Sequence, residues 1–239
     1  MPGEAEKLLV ALDVPGLPEA EALLERLQGV VTGCKIGSQL FTAVGPAAVE
    51  RAQKRGFRVF LDLKFHDIPH TVAGAVREAT RLGVFMLNVH ASGGLAMMKA
   101  AAEAAGAAAK DLRVARPLCL GVTVLTSLDR RMLEREVGVP TTVEGHVLRL
   151  AGLAREAGLD GCVASPREVR PLRIAMGQGF TLVIPGIRPA ARDDDQMRTA
   201  TPAAALRAGA DYLVIGRPIT AAPDPAAAAA AIVAELQTG

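Results

Sequence analysis

Chemistry-bearing residues are densest at Asp62-Leu63-Lys64-Phe65-His66-Asp67-Ile68-Pro69. Two acids and a lysine stand there at the end of an apolar run, Arg58-Val59-Phe60-Leu61, and Pro69 then stops the extended chain and opens a helix. Side chains alternate along a strand, so Asp62 and Lys64 point one way while Leu61 and Leu63 point the other. A charge taken out of water must be paired, or it neutralises. Asp-x-Lys-x-x-Asp supplies that pairing in alternating sign. Such a set holds an ammonium and carboxylates together where water is scarce, which suits it to stabilising charge that develops during a reaction. A bare Asp-x-Lys is also compatible with an incidental ion pair on a solvated strand end. The two readings separate on whether other polar side chains converge on the same place.

Polar residues recur at the ends of the other apolar runs. Asp13 ends the first, Lys35 lies in the second, Asn88 and His90 close the fourth, and Thr126 and Ser127 the fifth. Gly186-Ile187-Arg188 follows the seventh and Gly216-Arg217 the eighth. A phosphate wants backbone N–H groups and a bidentate guanidinium. Gly216 lets the backbone approach closely and Arg217 supplies the fork; the plainer alternative is a turn with a solvated arginine. The polar stretch 188–201 is long for a connection inside a compact domain, and such loops are usually functional or disordered. It reads as a lid that closes on the phosphate through Gln196. The run Asp193-Asp194-Asp195 suits a solvated face, because three successive acids cannot all point inward. His66, His70 and His90 lack the spacing of metal ligands and read as packed or supporting residues, so no metal is expected.

The elements that position these residues form a repeat. Short β-rich runs at 8–13, 33–37, 58–64, 84–90, 118–126, 161–165, 182–187 and 212–216 alternate with Ala/Leu/Glu/Arg-rich helical stretches. Spread over eight units, 239 residues give roughly 30 per unit, the size of a βα repeat. The runs are nearly all apolar, as in a parallel sheet covered on both faces. Ser165-Pro166-Arg167-Glu168 and Thr141-Thr142-Val143-Glu144 read as helix starts. Gly29, Gly56, Gly83, Gly158, Gly177 and Gly209 read as helix ends. The Ala run at 226–231, followed by Ile232, Val233 and Leu236, suits a final helix. No linker divides the chain, so 1–239 is expected to be one α/β domain, a closed (β/α)8 TIM barrel. An open doubly wound sheet is the alternative. The barrel is favoured because the polar residues gather at the C-terminal strand ends, where barrel active sites lie.

Composition narrows the function classes. Half the residues are hydrophobic and the net charge is +2, which gives no case for nucleic acid or a membrane as partner. No apolar run reaches about 18 residues and no basic-then-apolar leader opens the chain, so a cytoplasmic location is expected. Cys34, Cys119 and Cys162 are an odd number without close spacing, which argues for buried inert thiols.

The full run from Asp62 through Pro69-His70-Thr71 closely resembles the signature of the orotidine 5'-phosphate decarboxylase family, which makes UMP in the last step of pyrimidine nucleotide synthesis. Ala11-Leu12-Asp13 resembles that family's first-strand motif, and Val122-Thr123-Val124-Leu125-Thr126-Ser127 its fifth. Pro185-Gly186-Ile187-Arg188 with Asp194-Asp195-Gln196 resembles its lid, and Ile215-Gly216-Arg217-Pro218-Ile219-Thr220 its eighth-strand motif. The resemblance covers nearly the whole chain, in order. It implies loss of CO2 from orotidine 5'-monophosphate (OMP) without a cofactor, with Lys35, Asp62, Lys64 and Asp67 as the charged catalytic set and Lys64 as proton donor. It implies that Asp13 and Lys35 meet the ribose, that Thr126 and Ser127 meet the pyrimidine, that Gln196, Gly216 and Arg217 surround the phosphate, and that Arg188 also binds the substrate. It also implies a homodimer in which Asp67 and Thr71 complete the partner's site, with Ile68 among the substrate-binding residues. Two rivals remain: a metal-enediolate enzyme of the same barrel group acting on sugar phosphates, and a non-catalytic barrel that binds a phosphorylated metabolite.

Overall fold

Apolar runs that need cover on both faces find it by closing on themselves. The computed structural model describes residues 3–188 and 200–238. In it, β1 (Leu8–Ala11), β2 (Gly33–Gly37), β3 (Arg58–Phe65), β4 (Met86–His90), β5 (Leu118–Val122), β6 (Gly161–Val163), β7 (Thr181–Ile184) and β8 (Tyr212–Ile215) form a closed parallel barrel in chain order. The last strand pairs back onto the first, Val214 opposite Leu9. This is the expected (β/α)8 barrel, and the open-sheet alternative falls.

Several strands stop earlier than their apolar runs suggest. The run at 8–13 leaves the ladder after Ala11, that at 118–126 after Val122 and that at 182–187 after Ile184. Asp13, Thr126 and Arg188 therefore sit on loops above the barrel mouth. A chain that leaves the ladder there can turn polar groups across the opening, which a continuing strand cannot.

Alternation divides the apolar residues between two cores. Leu9, Ala11, Phe60, Met86, Leu120, Val183, Tyr212 and Val214 fill the barrel interior. The larger core lies between strands and helices and includes Val10, Ile36, Val59, Leu61, Leu87, Val76, Met98 and Leu150. Each fully buried side chain of this size contributes about 1.5–3 kcal/mol. Cys34, Cys119 and Cys162 belong to the outer core, and burial pushes each thiol up to about 12.

The helix signals are realised. Thr142 accepts from the Gly145 N–H at 3.0 Å, Ser165 and Glu168 form a capping box, and Pro69 opens the helix Pro69–Arg81. The six helix-closing glycines have φ between 69° and 111°, a range in which only glycine avoids strain. In the final helix, Pro225–Thr238, Ala229, Ile232 and Leu236 are buried.

The N-terminal rim of the barrel is tied by two similar devices. Asp160, just before β6, accepts from the Cys119 N–H of β5 at 2.8 Å and pairs with Arg116 at 2.8 Å. Asp211, just before β8, accepts from the Leu182 N–H of β7 at 2.7 Å and pairs with Arg173 at 2.6 Å. In both, the acid preceding one strand caps a backbone donor of the strand before it.

Candidate active site

One face of β3 runs from rim to mouth as Arg58, Phe60 and Asp62. Arg58 stacks on Phe85 at 4.5 Å, Phe60 fills the interior, and Asp62 emerges beneath the opening. β2 brings Lys35 alongside. Its Nζ lies 2.9 Å from Asp13 Oδ1 and 3.3 Å from Asp62 Oδ2. Lys64 Nζ lies 2.8 Å from Asp62 Oδ1. Asp13, Lys35, Asp62 and Lys64 thus form one chain of alternating charge across the mouth. Its centre is dry, with the Lys35 and Asp62 side chains 10% and 11% exposed. Its ends are open: Lys64 is 32% exposed and Asp13 55%. Burial alone would lower the Lys35 pKa. The charges of Asp62 and Asp13 and their hydrogen bonds outweigh it and hold the ammonium above the ordinary lysine value.

The geometry of Lys64 depends on a break in β3. The β3–β4 ladder pairs Leu61 with Leu87 and then Phe65 with Val89, so β3 advances four residues where β4 advances two. The extra residues bulge, and Lys64 takes φ 53°. A non-glycine residue held there costs about 1–3 kcal/mol and persists only where its surroundings impose it. Asn88, fully buried on β4, lies against the bulge. Its Oδ1 accepts from the Lys64 N–H at 2.8 Å and its Nδ2 donates to Asp62 Oδ1 at 2.7 Å. Gly37 closes the other side: a Cβ there would stand 2.8 Å from Lys35 Nζ and 3.1 Å from Asp13 Oδ1.

Two cavities open from this charge chain. The first, of about 180 Å³, is lined by Lys35, Asp62 and Lys64 together with Phe60, Val122, Thr126 and Val163. The second, of about 380 Å³, holds Asp13, Arg188, Gly216 and Arg217. They share Lys35, Pro185 and Val214. A ligand with a flat, mostly apolar ring at one end and an anion at the other matches that pair. Gly216 has no side chain to fill the second cavity, so the backbone borders it beside the Arg217 guanidinium. Arg188 is buried there, and its N–H bonds to the Ala200 carbonyl at 3.0 Å.

The expected site residues divide accordingly. Asp13, Lys35, Asp62, Lys64, Thr126, Arg188, Gly216 and Arg217 line the two cavities. Ser127 is exposed and lines neither of them. Gln196 and the body of the expected lid lie outside the described residues. Asp67, Ile68 and Thr71 are exposed on the flank of the mouth. The Asp67 carboxylate accepts from the Ile68 N–H at 2.6 Å, and among the described residues it makes no ion pair. His66 and His90 pack ring to ring at 5.4 Å. Among the described residues no three His, Cys, Asp or Glu side chains cluster as metal ligands would. The sequence marked Asn88 as a strand-end polar residue but gave it no role, and Gly37 was not singled out. The available signals were an amide inside an apolar strand and a glycine two residues past Lys35.

Residues 6–232 match the family model described as orotidine 5'-phosphate decarboxylase / HUMPS family. The chain belongs to this family. It is 60% identical to the orotidine 5'-phosphate decarboxylase of Moorella thermoacetica over 97% of this chain and 92% of that one. Against the enzyme of the same name from Halorhodospira halophila, identity is 56% over 96% and 95% of the two chains. The crystal structure of orotidine 5'-phosphate decarboxylase from Lactobacillus acidophilus superposes with a TM-score of 0.87 at 36% identity, covering 97% and 99%.

Proposed function

We propose that this chain decarboxylates OMP to UMP, the last step of de novo pyrimidine nucleotide synthesis, with Lys35, Asp62 and Lys64 at the reacting end and Asp13 beside the ribose. The supporting observation is the alternating charge chain at the junction of a small, largely apolar cavity with a larger one that carries two arginines. The pyrimidine enters the first, with Thr126 at its edge, and the phosphate enters the second.

The chemistry then follows from placement. The bond between C6 and the carboxylate carbon breaks, CO2 leaves, and the electron pair stays on C6. Lys64, paired with Asp62, faces that carbon with an ammonium that stabilises the developing charge and then donates its proton to C6. Asp62 crowds the substrate carboxylate, and the fixed array of Lys35, Asp62 and Lys64 needs no reorganisation as charge moves. Phosphate binding at Arg217, remote from C6, supplies the energy to hold the carboxylate against Asp62. The test is loss of OMP absorbance with purified enzyme, with and without exhaustive chelation. Full activity in chelator supports the reading. Activity that returns only with added Mg²⁺ or Zn²⁺ favours the metal-enediolate rival, and no turnover of OMP sinks the decarboxylase reading.

The active unit we propose is a two-fold dimer with shared sites, in which Asp67, Ile68 and Thr71 reach the partner's ribose. Ile68 is 65% exposed, and all three residues lie on one flank of the mouth. Lys64→Ala and Asp67→Ala homodimers should each be nearly dead. In a hybrid both lesions fall in one site, so random mixing should restore about a quarter of wild-type activity. No recovery, with hybrids confirmed by native mass spectrometry, would place Asp67 in its own chain's site.

A further inference from the structure

We propose that Asn88 is a positioning residue for this reaction: its amide clamps the β3 bulge so that the Lys64 ammonium is delivered onto Asp62. The inference rests on the decarboxylase reading above and adds to it the residue that sets the geometry of the proton donor. Lys64 is tied at both ends to one unit. Its backbone N–H donates to Asn88 Oδ1 at 2.8 Å, and its Nζ reaches Asp62 Oδ1 at 2.8 Å. Asn88 Nδ2 donates to that same oxygen at 2.7 Å. The three residues therefore close a ring of hydrogen bonds. The partners also fix which way the amide faces. A backbone N–H only donates and an ionised carboxylate only accepts, so the Asn88 oxygen must meet Lys64 and its nitrogen Asp62.

The ring explains why the bulge is tolerated. With the ladder skipping from Leu61 to Phe65, the Lys64 N–H is turned to a side chain rather than along the β3–β4 pairing. An L-residue at φ 53° reverts to extended backbone unless something holds it. In extended form the Lys64 side chain would start from a different Cα direction and its ammonium would leave Asp62. A group of the right length with an acceptor on one side and a donor on the other is needed at position 88. Of the ordinary side chains that fit a fully buried strand position, only asparagine offers both at this reach. Asp62 depends on the same group, since Asn88 and Lys64 both converge on its Oδ1 while Lys35 meets Oδ2.

The experiment compares Asn88→Ala and Asn88→Asp with wild type by crystallography, steady-state kinetics with OMP, UMP affinity and thermal melting. In Asn88→Ala, Lys64 should leave positive φ, its ammonium should separate from Asp62, and kcat should fall about 100-fold, as a misplacement of about 1 Å can do. UMP affinity should stay within about threefold, because Asp13 and Arg217 are untouched. Asn88→Asp keeps the acceptor and loses the donor. Lys64 should stay at positive φ while the new carboxylate displaces Asp62, so kcat falls with the backbone intact. Lys64 and Asp62 unmoved in Asn88→Ala, with kcat within about threefold of wild type, overturns the proposal. So do kcat and UMP affinity falling together, or both variants failing to fold, since either marks a structural role. If only Asn88→Ala fails to fold, the same-shaped Asn88→Asp decides. A wild-type enzyme inert toward OMP would sink the decarboxylase reading, whereas the position of Lys64 in the variant crystals would still decide the clamp.

Discussion

Arg173 and Lys35 are nearly buried cations of one barrel, with side chains 9% and 10% exposed, and they are satisfied in opposite ways. At the N-terminal rim Arg173 donates to the carbonyls of Gly177, Phe180 and Gly209 and to Asp211, which in turn caps the Leu182 N–H. Its partners are mostly backbone, fixed by the fold and fixing it. At the C-terminal mouth Lys35 bonds, among the described residues, only carboxylates, Asp13 and Asp62, and the chain of charge ends in half-open groups facing cavities. A charge bound to backbone oxygens is committed to structure. A charge bound to other side chains beside a cavity can exchange part of its pairing for a ligand. The same physics of desolvated charge thus yields a rivet at one rim and a reaction site at the other.

The comparison predicts opposite profiles of damage. Lys64→Ala should cost the most: kcat should fall more than a thousandfold in the OMP assay, equivalent to more than about 4 kcal/mol, with the melting temperature almost unchanged. Retention of over a thousandth of wild-type kcat would remove Lys64 as proton donor. Arg173→Ala should do the reverse. It leaves Asp211 and three carbonyls short of a donor, so urea unfolding should show a loss of about 2–3 kcal/mol. Activity per folded molecule should stay within about twofold. Loss of turnover without loss of stability there would erase the distinction between the rims.

The barrel was legible because its repeat is local. Eight apolar runs, capping residues such as Thr142 and Ser165, and closing glycines each announce themselves within a few residues. The polar residues around the mouth were legible for the same reason, since Asp13, Lys35, Asp62, Lys64 and Arg217 all stand at or near run ends. Strand ends were overrun at β1, β5 and β7, because hydrophobicity continues past the point where the ladder stops. The alternation argument put Lys64 beside Asp62 correctly, but it rested on a regular strand. The bulge that sets φ of Lys64 depends on pairing with β4, and register is a non-local property. The role of Asn88, and Gly37 altogether, escaped for that reason. Each matters through what the neighbouring strands place against it.

Gly37 offers a sharper version of the contrast. Its φ of −94° and ψ of −177° suit any residue, so Gly37→Ala carries no backbone penalty. The added Cβ would meet only the tips of Lys35 and Asp13. Those tips can move, which keeps stability within about 1 kcal/mol, but their movement disrupts the charge chain. The expected result is an unchanged melting temperature with kcat/KM reduced roughly 10- to 100-fold. Gly161→Ala, at the other end of the barrel, would drive its Cβ to 2.0 Å from the Thr181 carbonyl oxygen and should be lost to unfolding first. Equal stability in the two variants would show that the contacts at the two ends are not different in kind.

The smallest effect lies in the pH dependence of stability, and it isolates Lys35. Burial opposes the charge of Lys35, and Asp62 and Asp13 more than restore it, so the folded pKa lies above 10.5. Below about 10.5 both folded and unfolded chains hold the proton, and the stabilisation from Lys35 is fully present. As pH rises past that value the unfolded chain releases the proton while the folded chain keeps it, so stability falls until the folded pKa is passed. The slope from this one group cannot exceed about 1.4 kcal/mol per pH unit. Lys35→Met removes the group, and the groups remote from the charge chain cancel in the comparison. The stability difference between wild type and Lys35→Met, measured by urea unfolding, should be flat from pH 7 to 10 and shrink above it. A difference that grows with pH would mean that the carboxylates fail to hold the ammonium, and that the mouth of the barrel does not store charge as the rim does.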